Sequence, residues 1–142
     1  MTVAADGRRV FVDSNVLIYA HDRTAGGRHD RARELLDGLW DTMAGCVSVQ
    51  VLQEFFVHVR PVIGVTEARK RVTDYATWRV HAPVATDVIE AIDIHRDYTI
   101  SFWDAMIVRS ASMLGCEVLI TEDLNDGQSY RGVRAANPFA TH

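Results

Sequence analysis

Cysteine, lysine and long apolar runs are scarce in this 142-residue sequence, and each scarcity excludes a class of protein. Two cysteines, Cys46 and Cys116, are too few for a disulfide framework, so we expect two reduced thiols in the core. No segment approaches the roughly 20 apolar residues of a membrane span, and no basic stretch followed by an apolar run opens the chain. We therefore expect a soluble, cytoplasmic protein.

The charge balance is acidic, because 15 basic residues face 19 acidic ones and Lys70 is the only lysine. The net charge of -4 is unlike that of proteins that bind nucleic acid through a broad basic surface. A phosphate can still be bound through a metal ion that carboxylates hold, since the acidic residues then form the site. The sequence has no HExxH motif, no ligand-spaced histidines and cysteines for zinc, no glycine-rich phosphate loop and no GxSxG nucleophile elbow.

The length and the hydrophobic content of 48% fit one domain with its own core, so we expect a single domain over residues 1–142. Short apolar runs alternate with segments of helical periodicity, which is typical of a parallel sheet flanked by helices. The predicted strands are residues 10–12, 46–49, 80–82 and 117–121, with a brief strand around residue 133. The predicted helices are residues 16–20, 29–40, 49–60, 66–78, 84–98 and 101–114, with Ser48 as a cap and with Pro61 and Gly64 ending the third.

Four carboxylates occupy related places in this pattern. Asp13 ends the first strand and Asp123 follows the last clear strand. Glu54 lies in the helix after the second strand, and Asp104 lies in the first turn of a later helix. The carboxyl ends of parallel strands and the adjoining helix starts share one edge of a sheet, where ligands bind. Residues spread over most of the chain therefore converge in this interpretation.

Each of these acids also has a purely structural interpretation. Asp104 lies on the apolar stripe of its helix, where an unpaired carboxylate is costly, but it also forms an S-x-x-D capping box with Ser101. Glu54 flanks an apolar helix face and fits a boundary position. Asp13 fits a turn or a helix cap, and Asp123 fits an ordinary loop residue.

The four acids together are harder to explain by structure alone. If they meet at about 5 Å with an effective dielectric near 20, each ionised pair repels by roughly 3 kcal/mol. A cation must then lie among them, or protons must be taken up. Mg²⁺ or Mn²⁺ suits carboxylate and water ligands better than zinc does.

Four sequence segments resemble the successive signatures of bacterial PIN domains of the VapC type: VFVDSNVLIYA, VLQEF, ISFWDAMIV and VLITEDLNDGQ. They follow the order of that family from Val10 to about Gln128, which is nearly the whole chain. The resemblance implies a three-layer α/β/α fold with a central parallel sheet, and an acidic pocket that binds one or two Mg²⁺ or Mn²⁺ ions. Asp126 competes with Asp123 for the fourth acidic place, and Asp123 is preferred because it lies closer to the strand end. The positions that match the acids and the supporting residues of the family are Asp13, Glu54, Asp104, Asp123, Asn15 and Thr121.

The resemblance also implies an activity and partners. The activity is metal-dependent cleavage of RNA by the toxin of a toxin-antitoxin pair, with Asn15 and Thr121 orienting the acids. The implied partners are an RNA substrate, a VapB-type antitoxin and a second copy of the chain in a homodimer. Trp40, Phe56 and Trp78 are candidates for antitoxin contacts, although each also fits the core.

Three other interpretations of the acids remain. A haloacid dehalogenase needs a second aspartate where Asn15 stands, and a late catalytic lysine that this chain lacks. A receiver-type signalling domain binds Mg²⁺ but needs an acidic neighbour beside Asp13 and a lysine after the last strand, whereas Lys70 lies in a predicted helix. A PIN scaffold that binds RNA or partners without cutting is the third.

Overall fold

The computed structural model of this protein describes residues 8–141, and the first seven residues and the last one lie outside it. Six strands form one sheet in the order β3-β2-β1-β4-β6-β5, and every neighbouring pair is parallel except β5 and β6. The strands are β1 (Val10–Val12), β2 (Gly45–Ser48), β3 (Arg79–His81), β4 (Val118–Ile120), β5 (Ser129–Tyr130) and β6 (Val133–Ala136).

Six α-helices flank this sheet, which confirms the predicted α/β architecture. The central strands β1 and β4 are buried at every residue, because helices cover both faces of a parallel sheet. Cys46 and Cys116 are buried and carry free thiols. None of the helices in residues 8–141 is long and apolar enough to cross a membrane. The helices are α1 (Ser14–Ala20), α2 (Gly27–Thr42), α3 (Val49–Ile63), α4 (Val65–Tyr75), α5 (Ala85–Tyr98) and α6 (Phe102–Met113), with a 3₁₀ turn at Arg23–Ala25.

Gly64 ends α3 as predicted, but the predicted interruption at Pro61 was wrong. The helix continues through Pro61 to Ile63, and Gly64 ends it with a positive φ of 85°. A proline inside a helix removes one hydrogen bond, the one its missing N–H would give to the carbonyl of Val57. The side chains of Val57 and Pro61 are both exposed, so water can reach that side of the helix and bind the freed carbonyl. Pro61 therefore lowers the stability of the helix only slightly at this position near its end.

The carboxyl edge of the sheet contains a topological switch point. From β1 the chain continues to β2 on one side of β1, and it later returns to form β4 on the other side of β1. β1 and β4 are therefore neighbours, and the connections that follow them lead away from each other. Such an edge leaves a crevice between the first residues that follow the two strands. The helix that follows β1 and the loop that follows β4 both begin at this crevice.

A buried ion-pair network fixes α5 against α6 and β3. Asp87 has 2% of its surface exposed, and its Oδ1 accepts a hydrogen bond of 2.9 Å from Nε of Arg109. Its Oδ2 accepts the N–H of Val84 at 2.9 Å and lies 3.4 Å from Nε2 of His81. Ser110 Oγ lies 2.8 Å from the other ring nitrogen of His81. This Ser-His-Asp series resembles that of a hydrolase, but Ser110 has no exposed surface, so its role is structural.

Replacing Asp87 by alanine should lower the free energy of unfolding by about 3 kcal/mol, because Arg109 then stays partly buried without its carboxylate. The N–H of Val84 and the guanidinium of Arg109 lower the pKa of Asp87 below its usual value. Its contribution is therefore present above about pH 4 and is lost as the pH falls through the folded pKa. Denaturant unfolding at pH 7 and below pH 3 measures both effects.

Asp93→Ala is the matched control on the same helix, since Asp93 forms an exposed ion pair with Arg96 at 3.4 Å. That change should cost less than about 1 kcal/mol. Equal losses for the two variants at pH 7 would contradict the structural importance of the Asp87 network.

Candidate metal centre

Three carboxylates meet at the crevice between β1 and β4. Asp13, Asp104 and Asp123 each offer an oxygen, and these oxygens lie within 4.8 Å of one another. Asp13 follows β1, Asp104 lies in the first turn of α6, and Asp123 lies in the loop after β4. Within residues 8–141 no other group of three or more such side chains is close enough to hold one metal ion.

Asp13 is the most deeply buried of the three, with 4% of its surface exposed. It caps α1 by accepting the N–H of Ser14 at 2.7 Å, and it accepts the hydroxyl of Thr121 at 2.8 Å. Burial raises the pKa of Asp13 to about 7, against the opposing effect of these two hydrogen bonds, and the charges of Asp123 and Glu54 raise it further. Without a cation, this carboxylate therefore takes up a proton near neutral pH.

Asp104 lies in the capped first turn of α6, where Ser101 supplies its half of the expected capping box, and the Asp104 carboxylate belongs to the group of three acids. Its backbone N–H donates to Oγ of Ser101 at 3.0 Å, so Ser101 caps α6. Its carboxylate is half-buried, and this burial, together with the charge of Asp123, raises its pKa against the effect of the Ser101 hydroxyl. The cap fixes the first turn of α6, and thereby holds the carboxylate of Asp104 beside Asp13.

Asp123 is held by two neighbours of Asp13. Its Oδ2 accepts a hydrogen bond of 2.9 Å from Nδ2 of Asn15, and its N–H donates to Oγ1 of Thr121 at 3.1 Å. The side chains of Asn15 and Thr121 thus connect the loop after β4 to the start of α1. Oδ1 of Asn15 is buried, and no residue of the described chain gives it a hydrogen bond.

Glu54 stands beside the three acids rather than among them. It lies on α3, and its Oε1 accepts a hydrogen bond of 3.3 Å from the hydroxyl of Ser14. It is near enough for its charge to raise the pKa of Asp13. A water molecule between Glu54 and an ion at the three acids is therefore a more natural arrangement than direct coordination.

Asp126, the alternative to Asp123, lies apart from this group. Its Oδ1 accepts the N–H of Asn137 at 2.9 Å, which connects the loop after β4 to the segment after β6. Asp123, two residues beyond Thr121, belongs to the group of three.

Comparison with known families gives this crevice a context. The family model of the PIN domain matches residues 10–126, which is most of the chain and contains all four acids. The chain belongs to the PIN domain family. No significant match was found among curated proteins.

Three solved structures share the fold of this PIN domain at low sequence identity. VapC20 of Mycobacterium tuberculosis, described as a sarcin-ricin loop cleaving toxin, is 20% identical with a TM-score of 0.63, over 88% of this chain and 98% of that one. A toxin-antitoxin complex from Klebsiella pneumoniae is 20% identical with a TM-score of 0.66, over 93% and 99%. FitAcB from Neisseria gonorrhoeae is 17% identical with a TM-score of 0.60, again over 93% and 99%.

The donor atoms of this PIN domain fit a hard divalent cation. The three grouped ligands are all carboxylates, and the amide of Asn15, which donates to Asp123, has a buried oxygen without a hydrogen-bond donor in the described chain. Mg²⁺ and Mn²⁺ prefer oxygen ligands and keep several waters, whereas zinc prefers the nitrogen and sulfur ligands that this group lacks. A divalent cation would also favour the charged form of Asp13, whose pKa is raised mainly by burial and to a smaller extent by the charges of Asp123 and Glu54.

Sequence reasoning missed the polar contacts at the rim of this site. Tyr19 donates its hydroxyl to Oε1 of Glu122 at 2.6 Å, and Nε of Arg28 lies 3.3 Å from Oε2 of the same residue. It also missed Ser14, whose hydroxyl contacts Glu54. Ser14 and Tyr19 lie inside the first signature segment, which was the available signal, but their partners are distant in sequence.

Asp13→Asn should stabilise the metal-free protein above neutral pH. Because the folded pKa of about 7 lies above the usual value near 4, the stability that Asp13 contributes is fully present below about pH 4 and is lost as the pH rises through 7. At pH 8 in EDTA, the variant should be more stable by up to about 4 kcal/mol, at 1.36 kcal/mol for each pKa unit. Denaturant unfolding between pH 4 and pH 8 measures the difference.

The same variant should lose the stabilisation that a bound cation gives. Added Mn²⁺ should raise the melting temperature of the natural protein at pH 8, but not that of Asp13→Asn. Asp126→Asn serves as the control and should follow the natural protein in both experiments. A difference between Asp13→Asn and the natural protein that stays constant from pH 4 to pH 8 would refute the burial argument.

Proposed function

We propose that this PIN domain is a metal-dependent endoribonuclease that hydrolyses RNA phosphodiester bonds and acts as the toxin of a toxin-antitoxin pair. The convergence of Asp13, Asp104 and Asp123 at the crevice carries the proposal, because three carboxylates so close together favour a bound cation. Membership of the PIN family and the fold shared with a sarcin-ricin loop cleaving toxin support RNA as the substrate.

The residues divide into those that hold the ion and those that arrange its surroundings. Asp13, Asp104 and Asp123 would hold one or two Mg²⁺ or Mn²⁺ ions, directly or through water. Such an ion, when bound, lowers the pKa of the attacking water and offsets charge on the phosphate. Glu54, outside the group of three, would orient that water or accept its proton.

Asn15 and Thr121 would act by fixing the orientation of the acids. Thr121 donates to one oxygen of Asp13, and Asn15 donates to one oxygen of Asp123. A carboxylate oxygen has two lone pairs, so an oxygen that accepts one of these hydrogen bonds can still bind the ion or a water molecule on the ion. Removing a hydrogen-bond partner of a metal ligand typically lowers metal affinity or activity by about 10- to 100-fold.

The alternatives have less support. A receiver-type domain needs a lysine near the acids, and Lys70 is an exposed residue of α4. A haloacid dehalogenase needs an acid in place of Asn15, which here donates its amide to Asp123. A PIN scaffold without activity would account for Asp13 as the cap of α1, but it gives no reason for Asp104 and Asp123 to lie beside it.

The test is cleavage of a labelled single-stranded RNA in the presence of Mg²⁺ or Mn²⁺. Asp104→Asn and Asp123→Asn should each reduce the rate by at least about 100-fold, since a metal contribution of several kcal/mol is lost. Asp126→Asn should stay within about twofold, because its amide oxygen can still accept the N–H of Asn137. Full activity in EDTA would refute the metal mechanism, and a large loss for Asp126→Asn would place the fourth acid there instead.

We also propose that the protein forms a homodimer and binds an antitoxin in the cytoplasm. Phe56 lines an apolar groove of about 300 Å³ between α3 and α4, together with Leu52 and Val72, and this groove supports an antitoxin contact. Trp78 is buried in the core, and Trp40 packs against it with ring centroids 5.0 Å apart. The Klebsiella pneumoniae structure with the same fold is a toxin-antitoxin complex, which supports a partner of this kind.

Exposed apolar side chains on α5 support the homodimer. Val88, Ile89 and Ile92 lie on one side of the helix and are 39%, 61% and 50% exposed. Light scattering should give a mass near 32 kDa, about twice the 15.9 kDa of the chain. Ile89→Glu with Ile92→Glu should reduce this mass to that of one chain, whereas Glu90→Ala on the same helix should not. A single-chain mass for the natural protein would contradict the dimer.

A further inference from the structure

A cavity of about 650 Å³ lies at the far end of α1, away from the acidic crevice. It is enclosed by the end of α1, the 3₁₀ turn, the first half of α2, the end of α3 and the start of α4. The charged and polar side chains that line it are Arg23, Arg33, Arg71, His21, His29 and Glu67. Three guanidinium groups from three separate elements therefore face one space in a protein whose net charge is -4.

The carboxylates of the chain do not neutralise these three arginines fully. Arg71 is well paired, with Glu67 at 2.7 Å and Asp74 at 3.6 Å. Arg33 has only a weak contact of 3.9 Å with Asp37, and half of its side chain is exposed. Arg23 is exposed and has no ion pair with any residue in the described part of the chain. Among the residues that line the cavity, three arginines therefore face one carboxylate, Glu67, because Asp37 and Asp74 lie outside the lining, and the excess positive charge is at Arg23 and Arg33.

His21 is a neutral residue of the cavity lining. Burial, with smaller contributions from the charges of Arg71 and Arg33, lowers the pKa of His21 to about 4. Nε2 of His21 lies 2.7 Å from the hydroxyl of Tyr75, so the neutral ring has a hydrogen-bond partner. The positive charge of the cavity therefore comes from arginines, and it persists at any pH at which the protein is folded.

The cavity is connected to the acidic crevice by a single short helix. α1 begins directly after Asp13 and ends at Ala20, which lines the cavity. Seven residues of α-helix span about 10 Å, at 1.5 Å for each residue. One strand of double-helical DNA rises about 3.4 Å for each nucleotide, and a less stacked single strand is longer, so this distance corresponds to at most about three nucleotides.

We propose that the arginine cavity binds a phosphate of the RNA substrate within about three nucleotides of the bond that is cleaved. Guanidinium groups match phosphate oxygens in pairs, and phosphate contacts fix the register of a bound strand. Arg23 has no ion pair in the described part of the chain and Arg33 has only a weak one, so these two side chains make the phosphate contact. Arg71 stays paired with Glu67 and Asp74. The inference rests on the proposed ribonuclease function, because it assigns a second contact to the same substrate.

The test compares Arg23→Ala/Arg33→Ala with the natural protein. Anisotropy of a labelled single-stranded RNA in EDTA should show at least tenfold weaker binding. The slope of log affinity against log salt should fall by about 0.7 for each phosphate that the variant no longer binds. With Mn²⁺, KM for cleavage should rise at least tenfold, while kcat stays within about threefold. No salt-dependent RNA binding by the natural protein would overturn the proposal.

Two controls separate a specific phosphate contact from general loss of charge. Arg96→Ala/Arg134→Ala removes the same net charge from exposed positions, and Arg134 lies opposite Val118, at the other end of the sheet from the acids. This variant should keep its affinity and salt slope. Arg23→Lys/Arg33→Lys should keep most of the salt slope and lose less affinity than the alanine pair. Equal weakening by both alanine pairs would overturn the proposal.

The outcomes also distinguish this inference from the function on which it rests. Cleavage that needs Mn²⁺ but shows no change in KM or salt slope for Arg23→Ala/Arg33→Ala would refute the phosphate site and leave the ribonuclease intact. RNA binding that depends on these arginines without any cleavage would refute the ribonuclease alone. If the alanine pair leaves RNA binding unchanged but weakens the complex with an antitoxin, the cavity binds an acidic protein segment instead.

Discussion

The burial of the Asp13 carboxylate among other acids is the constraint on which this structure depends. A charge with 4% exposure is stable only if hydrogen bonds, a proton or a cation compensate for the lost water. Ser14 and Thr121 supply two hydrogen bonds, yet the pKa stays near 7, so they do not compensate fully. The fold therefore keeps a local instability that a divalent cation would remove.

This constraint requires rigid supports around the acids. The three acids come from separate parts of the chain, and each is fixed by a helix start or a loop with its own hydrogen bonds. α6 has the most support, because Asp87 joins it to α5 through Arg109, some distance from its first turn. A shift of α6 along β4 would move Asp104 away from the other acids. The buried ion pair thus supports the site without touching it.

Local sequence patterns predict most of the fold and the positions of three of the acids. The alternation of apolar runs with helical periods predicts the parallel order, and the rule that strand ends share an edge predicts where Asp13 and Asp123 lie. The position of Glu54 outside the group depends on how α3 packs on α1, which no local pattern encodes. The hairpin of β5 with β6 and the continuation of α3 through Pro61 were missed for related reasons, because pairing and solvent access decide them.

The acidic net charge first counted against any contact with nucleic acid, and the arrangement of charges in the folded protein answers that objection. Net charge is a sum over the surface, whereas binding depends on where the unpaired charges lie. Acids are concentrated at the crevice, where a divalent cation would offset most of the local negative charge and bind a phosphate directly, and arginines with incomplete partners face a cavity one short helix away. Six of the eleven other arginines pair with nearby acids, such as Arg131 with Asp97 at 2.7 Å. A strand of phosphates would therefore be attracted both to an ion at the crevice and to the arginine cavity, and two contacts at a fixed distance restrict the register in which the strand binds.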